Sequence, residues 1–130
     1  MFRTFLIVFV LALVAAAGLA VVAEKGALDG KNYVGESGEI GKTTGDKDEL
    51  VFADGTFRSV GCDQYGFKPV SYTTTKEGES INFVAHAKSE KEGEIHWTGT
   101  VTGENCEAKF VWSKPGQKDI EYWFKGTLKK

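Results

Sequence analysis

The chain has 130 residues, with 16 lysines and arginines against 18 aspartates and glutamates, for a formal net charge of −2. That length suits one domain, and the slight acidity withholds the basic face that nucleic-acid binding requires. Sixteen glycines and two prolines, with aromatic and threonine-rich segments between them, point to turns and strands rather than helices.

The chain begins Met1-Phe2-Arg3, followed by an uncharged and mainly apolar run from Phe5 to Ala23. One early cation, an apolar core and the small residues of Val21-Val22-Ala23 before Glu24 are the three parts of a secretory signal. Residues 1–23 are therefore expected to form a signal helix cut after Ala23, leaving 24–130 as one domain in the periplasm or the extracellular medium. The alternative is an uncleaved anchor, since the run is nearly long enough to cross a bilayer. With the signal removed, no membrane span is expected.

Beyond the signal no apolar pattern recurs at helical spacing, and short alternating segments take over. Strands are expected near 31–36, 48–53, 56–61, 69–76, 79–87, 94–102, 105–113 and 118–128. The turns between them can be tested against one another, because a register error of one residue exchanges the two faces of a strand. A hairpin at Asp54-Gly55 pairs Phe52 with Phe57 and Leu50 with Ser59. One at Glu77-Gly78 pairs Tyr72 with Phe83, Thr74 with Ile81 and Val70 with Ala85. One at Gly103-Glu104 pairs Val101 with Cys106, Trp97 with Phe110 and Ile95 with Trp112. The last, through Pro115-Gly116, brings Phe110 to Tyr122 and Ala108 to Phe124.

All four hairpins collect large apolar residues on one face and polar residues such as Arg58, Thr98, Lys109 and Lys125 on the other. Without a helix to cover that apolar face, the expected fold is all-β. It is an eight-stranded antiparallel up-and-down meander that closes into a small barrel and so removes its edges. Chain direction sends the three tight turns to one end. The longer connections near 37–47, 62–68, 88–93 and 114–117 go to the other, which becomes a mouth.

Strand one at Tyr33 to Glu36, the loop Ser37 to Lys47 and the three tight turns together resemble the calycin architecture of lipocalins and avidins. Gly30-Lys31-Asn32-Tyr33 stands where lipocalins carry Gly-x-Trp. The run Phe57-x-Ser59-x-x-Cys62, then Gly66-Phe67, also looks like uncharacterised small exported bacterial proteins. The calycin resemblance implies a small apolar or amphipathic ligand held inside the barrel. Inward residues near the mouth, Ile95, Trp97, Trp112 and Tyr122, with Tyr65 and Phe67 from a loop, form the candidate binding site. The competing expectation is a barrel filled by its own side chains. Such a protein would act on a protein partner, as an inhibitor or accessory subunit, through an outer patch at Val84, Val111 and Trp123. In size and compartment it resembles the small barrel inhibitors of bacterial secreted proteases.

Two cysteines in an exported chain suggest a disulfide. The meander instead puts Cys62 at the mouth and Cys106 at the closed end, roughly 15 Å apart or more at 3.3 Å of rise per residue. Both alternatives, bridged and free, stand at this point. His86 and His96 are expected as cross-strand neighbours on the outer surface, with no carboxylate at an obvious third position; two exposed histidines are the expectation, and a surface metal binder through the pair is the remaining alternative. No phosphate loop, Ser–His–Asp order or His-x-x-x-His spacing exists. A non-enzymatic protein without a cofactor is expected.

Overall fold

A computed structural model describes residues 26–130; the signal expected at 1–23 lies outside the described residues. The described chain forms strands β1 (Asn32–Glu39), β2 (Asp46–Ala53), β3 (Thr56–Ser59), β4 (Val70–Glu77), β5 (Ser80–Ser89), β6 (Gly93–Thr102), β7 (Asn105–Ser113) and β8 (Ile120–Leu128). One short helical turn, α1 (Val60–Asp63), interrupts them. Successive strands pair in order, and β8 returns antiparallel to β1 to close the barrel. The expected all-β meander is therefore the fold. Among the described residues no helix is long and apolar enough to cross a membrane.

Turn chemistry sets the registers. Asp54 and Gly55 both adopt positive φ, at 52° and 75°, and the hairpin pairs Phe52 with Phe57 and Leu50 with Ser59, as expected. The registers across β6–β7 and β7–β8 also match, with Trp97 facing Phe110 and Phe110 facing Tyr122. The β4–β5 register differs by two positions: Tyr72 faces Ala85 and Thr74 faces Phe83. The reversal is made by Gly78-Glu79 rather than Glu77-Gly78, with Gly78 at φ 61°. Glycine belongs at the first central position of this class of turn, which Gly103 fills in the next tight hairpin. A shift of two preserves parity, so every side chain keeps its expected face.

Two expected boundaries also move. The strand expected over 56–61 ends at Ser59. The connection expected at 88–93 shortens to residues 90–92, since β5 continues to Ser89 and β6 begins at Gly93.

The barrel interior is not filled evenly. Near the closed end Tyr33, Leu50, Phe52, Phe57, Tyr72, Phe83 and Phe124 are all essentially inaccessible. Their rings pack edge-on and tilted: Phe52 lies 5.1 Å from Phe83 and 4.9 Å from Tyr72, and Phe57 lies 5.0 Å from Trp97. Such geometry suits the ring quadrupoles. Inward-facing glycine makes room for it, because a Cβ on Gly99 would overlap the Phe83 ring.

The segment before β1 stoppers this end. Leu28 is fully buried, and its backbone N–H donates to the Tyr72 hydroxyl at 2.9 Å. That hydroxyl donates in turn to Asp29 Oδ1 at 2.7 Å, while the same carboxylate accepts the Gly55 N–H. Gly30 N–H donates to the Phe52 carbonyl at 2.8 Å. The stopper is thus tied to β2, β4 and the first tight turn at once.

Truncating Leu28→Ala should cost about 3 kcal/mol, as expected for a buried leucine whose cavity cannot collapse. Tyr33→Phe should leave stability unchanged or slightly higher, because its buried hydroxyl finds no hydrogen-bond partner among the described residues. Urea denaturation of the two variants checks both values.

Candidate functional site

At the opposite end the inward positions change character. Along β1 and β2 they become Ser37, Glu39, Asp46 and Asp48; along β5 they become Ala85, Ala87 and Ser89. These side chains are too small or too polar to meet at the axis. A cup of about 890 Å³ results, lined on one side by Phe67, Ile95, Phe110, Trp112 and Tyr122. Its other side carries Ser37, Glu39, Thr44, Asp46 and Asp48.

The aromatic wall is a continuous stack across three strands. Trp97 lies nearly parallel to Phe110 with centroids 3.9 Å apart, and Phe110 lies parallel to Tyr122 at 4.9 Å. Trp112 stands above this row, its indole N–H donating to the Glu92 carbonyl at 2.5 Å. Of the six residues expected to form the site, Tyr65, Phe67, Ile95, Trp112 and Tyr122 line the cup. Trp97 does not: it is buried against its cross-strand partner Phe110, as part of the sealed core. Phe110, which the sequence places on the apolar face but outside the candidate site, belongs to the wall as well.

The rim is organised by polar side chains inside it. Asp48 accepts hydrogen bonds from the Ser59 hydroxyl at 2.7 Å, Gly61 N–H at 2.8 Å and Glu49 N–H at 2.7 Å. This carboxylate turns the chain out of the β3 ladder and into α1, which explains why the strand ends at Ser59. Arg58 pairs with Asp63 at 3.1 Å on the outside of the same turn. Buried Ser89 donates to the Tyr65 carbonyl at 2.8 Å and accepts from Glu92 N–H at 3.1 Å. It thereby fastens the loop after α1 to the β5–β6 turn and seats Phe67 within the barrel. Trp123 lies against the β1–β2 connection and donates to the Lys42 carbonyl at 2.9 Å.

Cys62 lines the cup and Cys106 lies at the closed end facing Val101 and Gly126. Both are free, which resolves the two alternatives against the bridge. Burial pushes the Cys62 thiol up to about 11; the Ser59 hydrogen bond lowers it less than burial raises it, and Asp48 and Asp63 add to the rise. Cys106 is pushed up to about 12, chiefly by burial. Tyr122 is also raised, by burial first and then by Glu39, Cys62 and Tyr65. The perturbed groups of the cup are therefore held in their protonated forms, opposite to an activated nucleophile.

On the outer wall His86 and His96 face each other as expected. The expectation that no carboxylate accompanies them is corrected: Glu94 contacts His86 directly. Glu94 and His96 share a face because they are two residues apart on β6. Compared with known proteins, the chain matches no family model, no curated protein sequence and no solved structure.

The raised thiol predicts slow chemistry at half-buried Cys62. Cys62 should react with iodoacetamide at pH 8 well over tenfold more slowly than a free thiol, since the thiolate is the nucleophile and about two pKa units are lost. Folding is linked to the same protons. In the unfolded chain the thiols ionise near their ordinary 9.0, whereas the folded chain holds them to about 11 and about 12. Stability should be level below pH 9 and fall as pH rises through 11 to 12, as denaturation midpoints across that range would record.

Proposed function

We propose that this is an exported, non-enzymatic barrel that holds one small amphipathic ligand in the cup at its mouth. The cup itself carries the reading. Its volume of about 890 Å³ falls in the range of small-molecule sites, which pair apolar and aromatic walls with a few placed polar groups. The stacked Phe110 and Tyr122 rings and Trp112 offer a flat apolar surface on one side. Glu39, Asp46 and Ser37 on the facing side suit a polar or hydrogen-bonding end. The ligand class is thus an aromatic or aliphatic body with one polar terminus.

Architecture and position support the same reading. A closed up-and-down barrel stoppered at one end and open at the other is the calycin arrangement for internal ligands. The rim loops rest on a rigid scaffold, where binding functions concentrate. Protonated Cys62 and Tyr122 favour binding over covalent chemistry. An apolar outer patch for a protein partner gains less support, because Trp123 is occupied in holding the β1–β2 connection.

N-phenyl-1-naphthylamine and a medium-chain alcohol, whose hydroxyl can donate to the Glu39 and Asp46 carboxylates, serve as probes of the two ligand types. The expected result is saturable binding of at least one, with one molecule per chain. Trp112→Ala should weaken it about tenfold, a loss of about 1.4 kcal/mol, while Val84→Ala on the outer face leaves it unchanged. Failure of both probes to saturate, or equal affinity in Trp112→Ala, would overturn the assignment of the cup.

A further inference from the structure

A second cluster of chemically capable side chains lies on the outer wall, away from the cup. The β5–β6 ladder runs unbroken from Ser80 facing Thr102 to Ser89 facing Gly93 and places His86 directly opposite His96. The two imidazoles stack with centroids 3.8 Å apart and an interplanar angle of 29°. Glu94 approaches diagonally, its Oε1 against His86 Nε2. Lys88 sits straight across from Glu94 in the register, yet the carboxylate is engaged with the imidazole instead.

One donor atom from each of His86, Glu94 and His96 lies within 4.8 Å of the other two. A tetrahedral zinc ion with bonds near 2.0–2.2 Å sets its donors ~3.3 Å apart. The three donors therefore lie within about 1.5 Å of the spacing that one centre requires. The donor set also selects the class of ion. Two imidazoles with one carboxylate suit zinc, copper(II) or cobalt(II), whereas calcium and magnesium call for oxygen ligands throughout.

We propose that His86, Glu94 and His96 form a three-ligand site for a divalent transition-metal ion of the zinc class. The remaining coordination positions face solvent, so the ion keeps water or accepts a donor from another molecule. Bound there, it braces β5 against β6 on the face opposite Ala85, Ala87, Ile95 and Trp97. The site shares no residue with the cup and stands or falls independently of it.

Calorimetric titration of the untagged protein with zinc chloride tests this, with cobalt(II) absorption reporting coordination geometry. The expected result is one zinc per chain with a Kd on the order of 1 µM, cobalt bands of tetrahedral intensity, and a higher unfolding temperature with zinc present. His86→Ala and His96→Ala should each remove saturable binding, and Glu94→Gln should weaken it about tenfold or more. The side chains of His86 and Glu94 are 40 % and 48 % exposed, and circular dichroism establishes that each variant keeps the fold. Absence of saturable binding by the wild type up to about 100 µM zinc, or undiminished binding by His86→Ala/His96→Ala, would overturn the proposal.

Discussion

Phe52 holds the closed end of the barrel together. Its ring meets Tyr33, Phe57, Tyr72 and Phe83 at centroid distances of 6.1, 5.2, 4.9 and 5.1 Å, and its backbone is hydrogen-bonded to the stopper through Gly30 and Lys31. An eight-stranded barrel has only enough interior for its own side chains or one small ligand. Concentrating aromatic volume around Phe52 fills the lower half to the density of a protein core. One side of the upper half is then left to Ser37, Asp48, Ser59, Ala87 and Ser89, which cannot reach across to the wall of Phe110, Trp112 and Tyr122. The cup is the direct consequence of where the large side chains stop.

Two polar networks keep these halves distinct. At the closed end Asp29 and Tyr72 latch the Leu28 stopper, so no opening forms between β1 and the first tight turn. At the mouth Asp48 and Ser89 hold α1 and the following loop over one side of the rim while leaving the aromatic stack exposed to the cup. A sealed base, a fixed wall and short rim loops give a preorganised site rather than one assembled on binding. The outer wall is independent of this division, which is why a second site can be built on the β5–β6 ladder without disturbing the first.

Alternation made the fold legible in the sequence. Because parity survives a two-residue slip, even the displaced β4–β5 register left Tyr72, Thr74 and Phe83 on the correct face. The mouth was legible for the same reason, since chain direction alone assigned the tight turns and longer connections to opposite ends. Contacts that depend on diagonal or distant partners were not legible. Glu94 reaches His86 across a rung that simple pairing does not connect, and Asp48 bends the chain at Gly61 from another strand. Leu28 lies in a turn with no periodicity to mark it as core. Trp97 faces inward near Trp112, but its near-complete burial comes from the rings packed on it, Phe57 and Phe110, which alternation does not encode. Gly99 reads in sequence as a generic small residue, and only the ring of Phe83, its direct partner on β5, explains it.

The barrel is filled at one end and open at the other, and its tryptophans report on both. Acrylamide quenching of two variants measures the difference directly: one retaining only Trp97 (Trp112→Phe, Trp123→Phe), the other retaining only Trp112 (Trp97→Phe, Trp123→Phe). Trp97, at 1 % exposure, should emit at short wavelength and resist quenching, while Trp112 at the cup wall should be quenched readily. Equal resistance in both variants would mean that the mouth is filled. Equal quenching would mean that the aromatic core around Phe52 does not seal the base, and either result would contradict the account.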